Sequence, residues 1–121
     1  MDDSEATVSM MKGVVREFCE ARDWDRFHNP KDLAIGMVTE ASELLETFRF
    51  KGPEDVEAMM YDPVRSEHVR DELADVLYFV LRFADTNGID LYSALVSKIA
   101  QNDRKYPVEK SRGSNLKYDE L

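Results

Sequence analysis

The fold of this chain is constrained above all by the spacing of its apolar residues. These residues lie in segments that are separated by proline and glycine. Asn29-Pro30, Gly52-Pro53, Pro63, Asn87-Gly88 and Pro107 divide the sequence into segments. Within each segment the apolar residues recur every three or four positions, which is the period of an amphipathic helix, whereas strands alternate. The sequence therefore predicts an all-α protein.

We predict four main helices and one short helical turn. Their bounds are about Ser4–Arg22, Asp32–Arg49, Pro53–Met60 for the short turn, Pro63–Asn87, and Asp90 to just before Pro107. Asp32 is the expected N-cap of the second main helix, and Gly88 the expected C-terminal cap of the third. The predicted apolar stripes are Val8, Met11, Val14, Val15 and Phe18 on the first, Ala34, Met37, Val38, Ala41, Leu45 and Phe48 on the second, and Val69, Leu73, Val76, Leu77, Val80 and Ala84 on the third.

One pair of helices is too small to cover all of these stripes. We therefore expect a four-helix-bundle-type fold that is completed by homo-oligomerisation. The 121 residues are enough for one domain with its own core. Residues 1–121 are predicted to form that single domain, with residues 108–121 as an irregular C-terminal tail.

Net charge and hydropathy limit the kinds of partner that we expect this protein to bind. The 25 acidic residues outnumber the 16 basic ones and give a net charge of −9, which argues against a nucleic acid polymer or an anionic membrane as partner. The most apolar run, Leu73 to Ala84, contains two charged residues and is shorter than the ~20 residues of a membrane span. The acidic start of the sequence and the single Cys19 predict a cytoplasmic protein.

Two acidic pairs are the candidate chemical centre. Glu40 and Glu43 lie three residues apart on the second main helix, and Glu72 and Asp75 have the same spacing on the third. A spacing of three places both members of a pair on one helix face. Four carboxylates from two packed helices would form a hard-oxygen site for Mg²⁺, with Mn²⁺ as a substitute.

Solvated acids are the alternative to a metal site, because about one residue in five of this chain is acidic. Helical-wheel placement favours the site: Glu72 falls inside an apolar arc and Glu40 at the edge of another, where an unpaired carboxylate is costly. Glu46 points away from the core. A di-iron centre is disfavoured, since neither His28 nor His68 follows a glutamate at the required spacing.

The ordered set of motifs resembles the MazG-like all-α nucleoside triphosphate pyrophosphatases, most closely the dCTP pyrophosphatase group. The resemblance rests on residues 21–30 (ARDWDRFHNP), Glu40-x-x-Glu43-Leu44, residues 48–51 (FRFK), residues 72–77 (ELADVL), Ser97-Lys98-Ile99, Asn102, Lys105-Tyr106-Pro107 and residues 111–114 (SRGS). It implies hydrolysis of a nucleoside triphosphate to a monophosphate and pyrophosphate, by a dimer or tetramer.

The resemblance also implies roles for individual residues. Glu40, Glu43, Glu72 and Asp75 match the Mg²⁺ ligands, and Glu43 or Glu46 would take a proton from the attacking water. Lys98, Asn102, Lys105 and Tyr106 match positions that hold phosphates or sugar, with Lys98 and Lys105 stabilising the leaving pyrophosphate. Trp24, Phe50 and Phe79 are the expected contacts to the base. His28 is a candidate contact to the substrate, and the alternative is a histidine at a helix joint that bonds the backbone.

Three positions depart from the dCTP-hydrolysing pattern. Phe50 stands where close relatives carry tryptophan, Phe79 where they carry tyrosine, and Val15 where a histidine is expected on the first helix. All three concern the base pocket and leave the hydrolysis unaffected. The expected substrate is dCTP or a modified dNTP, and the alternative substrates for the same fold are dUTP and a damaged purine nucleotide. The alternative function is that of a non-catalytic helical oligomer that acts through protein contacts.

Overall fold

The computed structural model describes all residues from Met1 to Leu121 and contains helices but no strands. The helices are α1 (Val8–Glu20), α2 (Pro30–Glu46), α3 (Pro53–Tyr61), α4 (Pro63–Thr86), α5 (Leu91–Lys105) and α6 (Val108–Ser111), with 3₁₀ turns at Asp25–Phe27 and Tyr118–Glu120. The predicted all-α class is confirmed. None of these helices combines the length and the apolar character that crossing a membrane requires.

Capping residues explain where the helices begin. Asn29 is the N-cap of α2, and its side chain accepts a hydrogen bond from the Asp32 backbone N–H. The prediction of Asp32 as the cap was wrong, because Pro30 occupies the first turn, where its missing N–H costs nothing. Asp62 and Asp90 cap α4 and α5 in the same manner.

The chain divides into two compact units, Met1–Gly88 and Ile89–Leu121. In the first unit, α4 packs against α1, α2 and α3. The second unit contains α5, α6 and the last 3₁₀ turn, where the Tyr106 and Tyr118 rings meet edge to face. Residues 108–121 thus hold two short helical segments within a stretch that is otherwise irregular.

The core lies entirely in the first unit. Its buried apolar residues are Val15, Cys19, Leu33, Met59, Val69, Leu81 and Ala84. They come from all four helices of the unit, so α1 to α4 share one apolar interior.

The predicted stripe of α2 does not match the face that this chain buries. Leu33 is buried, whereas Val38 and Leu45 are exposed. Apolar residues cover more than half of the circumference of α2, and the face turned towards α4 includes Gly36. Because Gly36 has no side chain, the ring of Phe79 lies directly against its backbone.

The stripes of α1 and α4 are likewise only partly buried. Val14 and Phe18 of α1 remain exposed, as do Leu73 and Leu77 of α4. The face of α4 that is covered instead includes Glu72 and the deeply buried Arg82. Polar groups therefore occupy part of the interface that periodicity assigned to apolar residues.

Candidate active site

Two helices running in opposite directions bring the acidic residues together. Along α2 the positions rise from Gly36 through Glu40 to Glu46, while their neighbours on α4 fall from Phe79 to His68. Carboxylate oxygens of Glu40, Glu43 and Glu72 lie within 4.8 Å of one another. We call these three residues the glutamate cluster.

Burial makes the glutamate cluster electrostatically unfavourable by itself. One oxygen of Glu40 and one of Glu72, each the Oε2 atom, are buried without a hydrogen-bond partner. Burial is the main cause that raises the pKa of Glu40, and the shared hydrogen bond and charge of Glu43 raise it further. Burial also raises the pKa of Glu72, which His68 partly offsets. Both shifts mean that the charged forms need a partner.

The donor set of the cluster fits a divalent cation. Carboxylate oxygens are the ligands that Mg²⁺ and Mn²⁺ prefer. The two orphaned Oε2 atoms are the observation that supports this fit, because buried carboxylate oxygens are normally hydrogen-bonded or bound to metal. The expectation that Glu72 faces the interior is confirmed, since only 16% of its side chain is exposed.

Asp75 and Glu46 lie at the margins of the cluster. Asp75 is exposed, does not belong to the converging group of three, and lines the adjoining cavity beside Glu40. Its charge nonetheless raises the pKa of both Glu40 and Glu72. Glu46 points outward as expected, with 65% of its side chain exposed and an ion pair to Arg49. Their assigned roles stay predictions.

An apolar cavity of about 470 Å³ opens beside the glutamate cluster. Its lining residues are Val14, Val15, Phe18, Trp24, His28, Glu40, Asp75, Tyr78 and Phe79. Trp24 and Phe79, two of the three residues predicted to contact the base, therefore lie together with His28, a predicted contact to the substrate. We call this space the aromatic cavity.

Edge-to-face contacts order the rings of the aromatic cavity. Phe79 meets Tyr78 at 5.0 Å between centroids, Tyr78 meets Phe18 at 6.1 Å, and Phe18 meets Trp24 at 5.6 Å. The Trp24 and His28 rings follow at 6.3 Å. Such pairs are more favourable than face-to-face stacks, so they hold the wall in shape.

Phe18 and Tyr78 are the aromatic lining residues that sequence reasoning did not assign to the pocket. The Tyr78 hydroxyl lies 3.1 Å from the Sγ atom of the buried Cys19. Burial, followed by this contact, raises the pKa of Tyr78. The signal was present, because Tyr78 follows Asp75 by three residues on one face of α4. Cys19 is a buried residue of α1 with a free thiol.

Phe50 does not reach the aromatic cavity within this chain. Its side chain is 92% exposed, its backbone is left-handed at φ 64°, and the Arg49 guanidinium lies 4.6 Å from its ring. Lys98, Asn102, Lys105 and Tyr106 lie on or at the end of α5 in the second unit. The roles assigned to these five residues stay predictions.

A second opening lies on the other side of the glutamate cluster. It measures about 300 Å³ and is lined by Glu43, Glu46, Thr47, His68 and Glu72. The Nε2 atom of His68 lies 3.7 Å from a Glu72 carboxylate oxygen. The cluster is therefore reachable from two sides, with the aromatic cavity on one of them.

The all-helical fold that carries the glutamate cluster and the aromatic cavity is similar to the fold of known proteins. A model of the MazG-like family matches residues 35–121. The chain belongs to the MazG-like family, which confirms the resemblance seen in the sequence.

Individual relatives agree with this assignment. The dCTP pyrophosphatase 1 of Bos taurus is 36% identical over 118 residues, covering 98% of this chain and 70% of that protein. The dCTP pyrophosphatase 1 of Homo sapiens is 34% identical over 117 residues, covering 97% and 69%. A solved pyrophosphatase from Archaeoglobus fulgidus superposes with a TM-score of 0.76 at 33% identity, covering 88% of this chain and 98% of its own.

Proposed function

We propose that this protein is a Mg²⁺-dependent nucleoside triphosphate pyrophosphohydrolase that releases a monophosphate and pyrophosphate. The observation that carries the proposal is the glutamate cluster, with its two unpartnered buried oxygens, next to a cavity walled by aromatic rings. The names of the relatives, dCTP pyrophosphatase 1 and pyrophosphatase, support the same reaction.

The substrate would extend from the aromatic cavity to the glutamate cluster. Trp24 and Phe79 offer ring faces on which a nucleobase can stack, an interaction of about 1–3 kcal/mol per base. Glu40 lines this cavity and also belongs to the cluster, so a base held by the rings places its phosphates towards the carboxylates.

Glu40, Glu43 and Glu72 would hold the divalent cation, with Asp75 as a fourth ligand at the margin. When bound, the cation supplies positive charge that offsets both the carboxylates and the triphosphate and that acidifies nearby water. This reconciles an acidic protein of net charge −9 with a polyanionic substrate.

The chain's own residues would accept one proton from the attacking water and stabilise the departing pyrophosphate. A water oxygen forms a bond to the α-phosphorus while the bond from that phosphorus to the bridging oxygen breaks. Glu43 or Glu46 accepts the proton of the water, since both line the second opening. Lys98 and Lys105 are proposed to stabilise the charge on the departing pyrophosphate.

We propose dCTP or a modified deoxynucleoside triphosphate as substrate, which would make the protein a sanitiser of the nucleotide pool. The similarity to the dCTP pyrophosphatases supports this class of base. Val15 and Phe79 line the aromatic cavity at two of the positions where the sequence departs from that group, so dUTP and damaged purine nucleotides remain alternatives.

We also propose a homo-oligomer. The exposed apolar residues of the first unit include Ile35, Val38 and Leu45 on α2 and Leu73 and Leu77 on α4. Apolar surface on this scale is unusual for a monomer. A second copy of the chain is the proposed cover, in accordance with the expected dimer or tetramer. A cytoplasmic location is proposed on the sequence features alone.

A nucleotide panel with detection of pyrophosphate tests the proposal. The folded protein with Mg²⁺ should release pyrophosphate from at least one deoxynucleoside triphosphate, and EDTA should stop the release. Glu67→Gln is a matched control, because Glu67 is an exposed acid of α4 outside both openings. Release of orthophosphate only would contradict cleavage between the α- and β-phosphates, and no release from any nucleotide would favour the non-catalytic oligomer.

A further inference from the structure

Arg82 is buried against His28, a lining residue of the aromatic cavity, although it carries a charge. It is 3% exposed and is the one charged residue among the buried positions of the chain. Burying a charge is costly unless it is paired and hydrogen-bonded. Neither the sequence pattern nor the proposed hydrolysis assigns a role to Arg82, so its burial needs an explanation.

The partners of Arg82 supply one. Its Nε–H donates to Nδ1 of His28 at 2.9 Å, and its terminal NH2 group donates to the carboxylate of Asp25. Arg82 lies on α4, whereas Asp25 lies in the 3₁₀ turn and His28 directly follows that turn. One side chain therefore clamps the segment that carries Trp24 and His28 onto the central helix.

The hydrogen bond to His28 fixes the state of its imidazole ring. Arginine has donors only, so the Nδ1 atom facing it must present a lone pair. A neutral imidazole with a lone pair on Nδ1 carries its proton on Nε2. Protonation of Nδ1 would set two donors against each other, and burial followed by the Arg82 charge lowers the pKa of His28, with Asp25 opposing.

We infer that Arg82 is a positioning residue that locks His28 as a neutral Nε2–H donor in the aromatic cavity, where it selects a nucleobase edge presenting an acceptor. The acceptor would be a carbonyl oxygen or an unprotonated ring nitrogen. The other polar groups of the wall are the carboxylates of Glu40 and Asp75, which only accept when ionised, the indole N–H of Trp24, and the Tyr78 hydroxyl, which already contacts Cys19. The second half of this inference rests on the proposed function.

Nitrogen-15 NMR of His28 tests the locked tautomer without any substrate, and the variant His28→Gln assigns its signals. The reference is a free histidine model compound measured in the same buffer. We expect His28 to keep an unprotonated Nδ1 and a protonated Nε2 at a pH at which the model compound is already protonated. In Arg82→Met, His28 should protonate at a higher pH. Protonation of His28 in the unaltered protein at the same pH as the model compound would overturn the inference.

Kinetics test the selection of the base. A triphosphate with a phenyl ring in place of the base can stack but offers no acceptor. We expect the ratio of kcat/KM for the best natural nucleotide to that for the phenyl analogue to fall about tenfold in Arg82→Met, mainly through KM. Arg70→Met is the matched control on the same helix, because Arg70 is exposed. An unchanged ratio in Arg82→Met would contradict the selective role.

Two further outcomes separate the inference from the proposed function. If Arg82→Met fails to fold, Arg82→Lys and the NMR titration of the unaltered protein still decide the tautomer. If no nucleotide is hydrolysed but His28 shows the locked tautomer, the proposed function falls and the positioning by Arg82 stands. If a nucleotide is hydrolysed but Nδ1 of His28 carries a proton, the proposed function stands and the positioning by Arg82 falls.

Discussion

Glu40 and Glu72 approach each other from α2 and α4, and each buries an Oε2 atom that has no hydrogen-bond partner. A pair of like charges in this position opposes folding in the absence of a cation, because no protein donor stabilises either oxygen. The two helices therefore pack closely at a point where they repel each other. The stability of this protein should respond to divalent metal for that reason.

Glu72→Gln should raise the melting temperature of the metal-free protein by a few degrees. The raised pKa of Glu72 means that its charged form costs stability above that pKa, and the cost is relieved as the pH falls. The substitution removes the cost at neutral pH. The stabilisation by Mg²⁺ should shrink at the same time, because a ligand is lost. Calorimetric melting with and without Mg²⁺ measures both effects, and a lower metal-free melting temperature than in Glu67→Gln would contradict this account.

Glu43→Gln and Asp75→Asn should each lower kcat/KM by about 100-fold or more while leaving the fold intact. Substitution of a residue that only hydrogen-bonds to a metal ligand typically lowers metal affinity or activity by about 10–100-fold, so substitution of a ligand should lower activity by at least that much. Circular dichroism checks the fold, and titration calorimetry checks Mg²⁺ binding. If binding and turnover survive in Asp75→Asn, the cluster consists of the three glutamates alone.

Gly36→Ala should weaken substrate binding more than it weakens the fold. A Cβ atom on Gly36 would lie 2.6 Å from Cζ of Phe79, so the ring must move, and Phe79 lines the aromatic cavity. We expect KM to rise about tenfold with a smaller change in kcat. Gly13→Ala is the control, because nothing lies within 4 Å of a Cβ there and alanine favours a helix by roughly 0.5–1 kcal/mol. Equal KM values in the two variants would show that Phe79 does not shape the site.

Asp85 should contribute to stability at neutral pH and lose that contribution in acid. The Arg16 side chain donates two hydrogen bonds to it at 2.8 Å, and these lower the pKa of Asp85. A lowered pKa stabilises the folded state above the unfolded value, about pH 4, and the contribution disappears as the pH falls through the folded value. Asp85→Asn should thus melt a few degrees lower at pH 7, and the difference should shrink below about pH 4. Asp71→Asn, an exposed acid of the same helix, should show no such trend.

Leu45→Glu should dissociate the proposed oligomer. Leu45 is 70% exposed on α2, and a charge there would oppose burial against a second copy. Sedimentation at micromolar concentration should give a multiple of the 14.0 kDa chain mass for the unaltered protein and a smaller species for the variant. Glu57→Gln on α3 is the control. A monomer of 14.0 kDa for the unaltered chain would refute the oligomer.

The sequence alone determined the helical class, most helix bounds and the inward placement of Glu72, because period, proline position and capping chemistry are local properties. It also identified the family through the order of its motifs. Helical periodicity did not determine which face of α2 is buried, since its apolar residues cover more than one face and only the partner selects among them. The tertiary structure made that choice, setting Gly36 against Phe79 and Arg82 against His28. Contacts between residues about 40 or 50 positions apart leave no periodic trace, so the pairing that shapes the candidate site was visible only in the folded chain.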